Sequence, residues 1–303
     1  MVITSGAFPK LLYPGVSKWW GHAYMDWKEQ WVDLFDKNKS KRAFEEDAQA
    51  TGLGLAAIKR EGSAISYDSM RQGFVTRYTP VVYGLGFVIT REMVEDDLYG
   101  IIGPKRAKAL ARSLRHTKET VAANVYNRAG NATYTGGDGS SLLNATHSNF
   151  TGGTYANQLS TAADLSEASL EQACIDIAKL QDDRGLQVAL MAKCLVVPVD
   201  LMFEVERVLG SPYQAGTSDN TVNALYSMGK FPDGVKVNHY LTDTDAWFIR
   251  TNLPEDGMKM YQRRKPGFGM DNEFDTENAK FKATERYAFG WTDPRGLFGS
   301  LGA

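Results

Sequence analysis

Only two of the 303 residues are cysteine, Cys174 and Cys194. Two are too few for a disulfide framework, and they are not spaced like metal ligands. Their helix-like and strand-like surroundings mark them as small buried hydrophobes. Histidine is almost as scarce, at His22, His116, His147 and His239, again without ligand spacing. An excess of one charge is missing too: 34 Lys and Arg stand against 36 Asp and Glu, a formal net charge of −2. That excludes a protein whose whole surface is basic for polyanion binding. No apolar run approaches the roughly 18 residues of a membrane helix. The start, Met1-Val2-Ile3-Thr4-Ser5-Gly6, lacks the basic-then-apolar pattern of a secretory signal. These absences predict a soluble chain made in a reducing cytoplasm, with no membrane partner. Without a secretory signal, the sequons at Asn131, Asn144 and Asn149 carry no meaning.

Catalytic signatures are absent as well. Gly229-Lys230 suggests a phosphate loop, but Ala224 and Phe231 occupy positions that motif needs. Gly52-Leu53-Gly54 and Gly84-Leu85-Gly86 lack the third glycine of a dinucleotide site and lie in extended segments. There is no His-Glu-x-x-His and no Gly-x-Ser-x-Gly. Asp271, Glu273, Asp275 and Glu277 alternate as calcium ligands would. The position that needs a bidentate Glu is Lys282, however, so an acidic solvated loop is the expectation. His147 near Asp138 is either half of an acid–base pair or a loop hydrogen bond, and the second reading is preferred. No catalytic residue, metal or cofactor is expected.

What is present is an ordinary globular composition, 43% hydrophobic and 23% charged, long enough for roughly two domains at about 150 residues each. Four of the six tryptophans fall in the first 50 residues. Trp20, Tyr24, Trp27, Trp31, Leu34 and Phe35 follow helical spacing and predict one aromatic stripe. Asp26, Lys28, Glu29, Asp33 and Asp36 occupy the other face. The stripe either packs on its own core or docks on a neighbouring subunit, where aromatics dominate the energetics.

From Thr51 to Thr90 the period changes to two. Alternation over 74–89 predicts one strand about three times the usual length, and Leu53 to Tyr67 reads as a second extended segment. Tyr67 to Gly73 has turn chemistry between them. Pro80 has no N–H for a ladder, so the strand is an edge locally. An isolated hairpin is marginal in water, so this one must lie on its own body or on a neighbour.

Gly103-Pro104 opens the clearest helix, since proline is tolerated in a first turn. Leu110, Leu114, Thr117, Val121 and Val125 mark one face out to about Arg128. Lys105, Arg106, Lys108, Arg112, Arg115 and Lys118 fill the others against a single Glu119. A solvated face is expected, because no aromatics are interleaved with the cations for base stacking. Residues 130 to 161 form a long connection rich in Gly, Ser, Thr and Asn. Ser166 caps the next helix, with Leu165 and Leu170 placed for a hydrophobic staple. Leu195-Val196-Val197 reads as a short buried strand, and the chain after Lys236 is mostly extended. The class is mixed α+β, without the alternating βαβ series of a doubly wound sheet.

Between 136 and 201, several ordinary features occur in a telling order. Gly136-Gly137-Asp138-Gly139 leads to Leu142-Leu143, His147 and Asn157-Gln158-Leu159. Leu165 to Leu170, Asp183-Arg184-Gly185, Leu195 to Pro198 and Leu201 follow. This order resembles that of the major capsid proteins of tailed bacteriophages, especially the Mu-like major head subunit group. The resemblance implies the Hong Kong 97-type fold. Residues 1–50 would be an N-terminal arm and 51–90 an extended loop, a β-hairpin on the next subunit. Residues 91–185 and 257–292 would form a peripheral domain with Pro104 to Arg128 as its spine helix. Residues 186–256 and 293–303 would form an axial domain, and Arg295-Gly296 follows the long peripheral strand.

The implied function is self-assembly into the pentamers and hexamers of an icosahedral head around double-stranded DNA. The chain would be made in the host cytoplasm and reside in the virion. Portal and scaffolding proteins are the other implied partners, and whether decoration proteins bind stays open. No long charged helix precedes the arm, so scaffolding is expected from a separate protein or not at all. Candidate inter-subunit contacts are Trp20, Tyr24, Trp27 and Trp31 on the arm and Lys59, Arg60, Glu61, Arg71 and Arg77 on the loop. Arg112 and Arg115 are candidates for non-specific contact with packaged DNA. The alternatives are a cellular cargo-enclosing shell of the same fold, or a soluble enzyme with an unrecognised site.

Overall fold

A computed structural model describes residues 8–96, 102–214, 221–253, 256–273 and 275–303. The neutral chain start discussed above lies outside the described residues. Two four-stranded sheets organise the chain. The first has the order β1 (Asp36–Lys39), β10 (Met258–Asn272), β11 (Ala279–Trp291), β4 (Val81–Ile89), with β1 parallel to β10 and the other pairs antiparallel. The second has the order β12 (Leu297–Ser300), β9 (Trp247–Thr251), β7 (Ala192–Pro198), β8 (Val235–Asn238). In it β7 and β8 run parallel, joined through α6 (Met202–Gly210) and α7 (Ala224–Met228). One such crossover does not make an alternating series, and the class is mixed α+β.

The long helix α4 (Ile102–Asn127) lies along the first sheet. Its Ala107, Leu110, Ala111 and Leu114 pack with Phe281, Ala283 and Ile89, and with Trp20, Ala23 and Tyr24 of α1 (Phe8–Met25). Small alanines let the helix approach the sheet closely, and the leucines fill the gaps. Farther along, Ala122 and Tyr126 enter the main core with Trp31, Phe35, Leu142, Val196, Phe248 and Met260. The central strands β7 and β9 are buried on both faces, which is why they read as continuous apolar runs. Their far face meets α5 (Glu167–Ala178) and α6 through Leu170, Ile177, Val205, Trp247 and Phe298. Ser166 caps α5 in a reciprocal hydrogen-bonded box with Ser169, and Leu165 and Leu170 are buried beside it.

The hairpin differs from the sequence expectation. The alternating run over 74–89 is two strands, β3 (Gln72–Tyr78) and β4, parted at Thr79-Pro80. Pro80 cannot donate to a ladder, and its carbonyl instead accepts from Arg286 Nε at 3.0 Å. Beyond this break β4 joins the first sheet. β3 pairs back with β2 (Glu45–Ala50), in sequence that looked like part of the arm. Leu53 to Tyr67 has no ladder partner and forms no strand. The aromatic stripe is likewise not one helix: α1 ends at Met25 and α2 (Trp31–Leu34) begins after a break.

Candidate assembly surfaces and a buried polar cluster

Every residue from 53 to 72 is exposed. Among the described residues the loop is fastened only at its root. Thr51 and Arg71 exchange hydrogen bonds at 2.9 Å, N–H of Thr51 to Arg71 O and N–H of Arg71 to Thr51 Oγ1. Asp68 accepts from the Gly54 N–H, and Arg184 reaches Asp68 and Ser69 O from across the chain. The N–H groups of Gly54 and Ser69, with Arg184 beside them, hold the Asp68 carboxyl below its usual range. Beyond this root, Leu53, Leu55, Ile58, Ile65, Tyr67 and Met70 are uncovered, Ile58 and Tyr67 at 95% exposure each. An exposed apolar cluster of this kind marks an interaction site. Lys59, Arg60 and Glu61 stand at the tip beside the turn at Gly62, whose φ is +77°. Arg77, on β3, is paired with Glu46 at 2.6 Å and lies over the Phe44 ring.

The aromatic segment is the opposite case. Trp20, Tyr24 and Trp31 are buried in their own chain, while Trp27 is 51% exposed. What fastens them is charge on α4. Glu119 accepts from the N–H groups of Gln30 and Trp31 at 2.9 Å each, so its carboxylate sits on the start of α2. Arg115 pairs with Glu29, donates to Trp27 O and lies over the Tyr24 ring. Lys118, 2% exposed, is 3.2 Å from Glu285 and lies over Trp31 and Tyr287. Tyr24 donates to the same Glu285, and burial and that carboxylate drive its hydroxyl far above the ordinary range. Burial also raises Glu119, against the pull of its two N–H partners.

The expectation of a solvated basic helix therefore needs correcting. Lys105, Lys108 and Arg112 are exposed, but Arg115 and Lys118 are interior cations with partners far away in sequence. Arg115 is not available to face DNA. Arg112 is, although its guanidinium covers Trp27 at 5.1 Å and its Nε donates to His116 at 3.2 Å.

Of the ordered motifs of 136–201, those around Asp138, His147, Asn157 and Asp183 meet in one polar cluster, while Leu165, Leu170 and Leu195 pack in the apolar core beside Trp247. Gly136 and Gly137 thread between Trp291 and β3; a Cβ would stand 2.6 Å from Trp291 Nε1 at the first and 2.9 Å from Thr76 Oγ1 at the second. Asp138 then meets His147 Nδ1 at 2.6 Å, and His147 Nε2 lies 3.1 Å from Asn157 Oδ1. Asn157 Nδ2 donates to the carbonyls of Leu142, Pro294 and Leu297. The His147 ring stacks on Tyr155 (centroids 5.2 Å apart), and Arg295 lies 4.0 Å from Tyr155. Arg295 is held by Asp293, Asp183 and Asn149. His147 thus makes the loop hydrogen bonds preferred above. Arg295 was noticed only for its place after a strand, and nothing in the local sequence could have announced its partners. Cys194 is buried and Cys174 half-buried, and burial pushes both thiols up. Among the described residues no group of His, Cys, Asp or Glu is placed to hold a metal ion.

Residues 73–299 match a family model described as phage capsid protein. The chain belongs to that family. The match runs from β3 into β12 and so covers both sheets apart from β1. No curated protein matches this phage capsid protein in sequence. Its fold is the Hong Kong 97-type capsid fold, as solved structures show. It is similar to the capsid of the cyanophage P-SCSP1u at TM-score 0.57 and 10% identity, covering 89% of this chain and 86% of that one. A structure from Mycobacterium phage Che8 gives TM-score 0.53 at 14% identity, covering 92% and 94%. The virus-like particle from Pyrococcus furiosus gives 0.52 at 10% identity, covering 94% and 97%. At such identities the likeness shows the fold alone; the capsid assignment comes from the family model.

Proposed function

We propose that this chain is the major capsid protein of a tailed phage, assembling into the pentamers and hexamers of an icosahedral head around double-stranded DNA. The match over residues 73–299 carries the reading. The uncovered loop supports it, because a subunit that presents so many apolar side chains on a root-fastened projection is built to be covered. The cover is a second copy, over an obligate interface on the order of 2,000–5,000 Å². Lys59, Arg60, Glu61 and Arg71 are the polar contacts of that docking, and Arg77 braces the hairpin that aims it. Half-exposed Trp27 contributes at the arm, whereas Trp20, Tyr24 and Trp31 serve the subunit itself. Residues 1–50 act as the arm, 91–185 with 257–292 as the peripheral domain, and 186–256 with 293–303 as the axial domain. The role is structural rather than enzymatic. Portal and scaffolding proteins complete the assembly, and Arg112 offers at most a salt-sensitive contact to packaged DNA.

Electron microscopy of the purified full chain tests this directly: closed shells are expected. Particles filled with a protein cargo and free of nucleic acid would favour the cellular compartment. A monomer with enzymatic turnover would overturn the reading.

A further inference from the structure

His147, at 0% exposure, stands at the centre of that polar cluster. Its protonation follows from the hydrogen-bond inventory. The orientation of Asn157 is fixed: its Nδ2 faces three carbonyls, and its Oδ1 also accepts from the Asn144 N–H at 2.9 Å. The atom facing His147 Nε2 is therefore an acceptor. On the other side stands Asp138. Burial alone would raise that carboxyl, but hydrogen bonds from His147 and the Ser140 N–H more than offset it and hold it below the usual carboxylate range. An ionised Asp138 is an acceptor only. Both ring nitrogens thus face acceptors, and a neutral imidazole has a single N–H.

We propose that His147 donates from both ring nitrogens, tying the Gly-rich loop to the segment that joins the two sheets. The segment in question is Thr292 to Gly296, between β11 and β12; Asn157 grips it at Pro294 O and holds the start of β12 at Leu297 O. Losing the Nε2 proton would set a ring lone pair against Asn157 Oδ1 at 3.1 Å, with no water to intervene at 0% exposure. The other groups packed around the ring do not replace the proton. Tyr155 stacks on its face, and burial keeps that hydroxyl neutral. Arg295, beyond Tyr155, is balanced by Asp293 at 3.1 Å and Asp183 at 3.7 Å. This concerns the chain itself and stands whether or not it forms shells.

The test is the solid-state ¹⁵N spectrum of the histidine-labelled full chain at neutral pH, against Asp138→Asn. In that variant the carboxamide NH₂ donates to an unprotonated Nδ1 while Nε2–H donates to Asn157, so a neutral ring satisfies every group. The parent should show two protonated ring nitrogens at His147, and Asp138→Asn one protonated and one bare. Parent and variant spectra alike at His147 overturn the proposal. Should the variant fail to fold, solid-state ¹⁵N spectra of the histidine-labelled parent decide the matter. His147 is the only one of the four histidines that is buried. Two protonated ring nitrogens at neutral pH support the tie, and one bare nitrogen overturns it.

Discussion

The aromatic segment around Trp20–Trp31 and the loop from Leu53 to Met70 are both apolar stretches flanked by charge, and both suit an arm. In the fold they part company. Trp20, Tyr24 and Trp31 close onto their own α4 and first sheet, clamped by Arg115, Lys118 and Glu119. The loop touches its own chain only at the root. An apolar pattern states that a surface will be buried; it does not state against what. Interior charge settles the difference here: one segment has buried cations and carboxylates waiting beneath it, and the other meets only Arg184, an exposed residue at its root, among the described residues.

The largest effect should come from removing the loop. Deleting 53–70 joins Gly52 to Arg71, whose neighbours Thr51 and Arg71 are already hydrogen-bonded, so the body should fold with an unchanged melting temperature. Sedimentation should then find subunits and no shells. Normal shells from this variant would place the docking surface elsewhere.

Next, Trp31→Ala should lower the stability of the unassembled subunit by about 3–5 kcal/mol, since this side chain is fully buried and its loss opens a cavity. Trp27→Ala, at a half-exposed position, should cost less than about 1 kcal/mol in the same denaturant titration. Equal costs would erase the contrast between the break and the helices on either side of it.

A smaller difference separates two arginines one helical turn apart. Arg115→Gln removes a nearly buried guanidinium from Glu29 and Trp27 O and should cost about 1–3 kcal/mol. Exposed Arg112→Gln should stay within about 0.5 kcal/mol and change only the salt tolerance of filled particles. Loss of shells without loss of subunit stability in Arg112→Gln would make it an interface residue.

The smallest effect concerns the loop's root. The folded chain holds Asp68 below its ordinary value, so the tie is present above that value and is lost as pH falls through the lowered one. Limited proteolysis with an acid-active protease should cut 53–70 of unassembled subunits faster as pH drops. Asp68→Asn should show a flat profile. A parent profile equally flat would show that Asp68 does not hold the root.

Features whose causes are local were legible in the sequence. The capping box at Ser166, the helix after Pro104 and the doubly buried Leu195-Val196-Val197 each need only neighbouring residues. Features set by distant partners were not. Arg115 and Lys118 looked solvated because Glu29 and Glu285 are remote in the chain. The run at 74–89 looked continuous because β2, the partner that draws β3 away, has weak apolar alternation of its own. The order of motifs at 136–201 pointed to the family, but only the fold shows that Asp138, His147, Asn157 and Arg295 meet.

Amide hydrogen exchange, compared between unassembled subunits and purified particles, tests the central claim most directly. The account predicts that 53–70 exchanges freely in the subunit and becomes protected in the particle, while 20–35 is equally protected in both. Free exchange of 53–70 within intact particles, or protection of 20–35 that appears only on assembly, would contradict it.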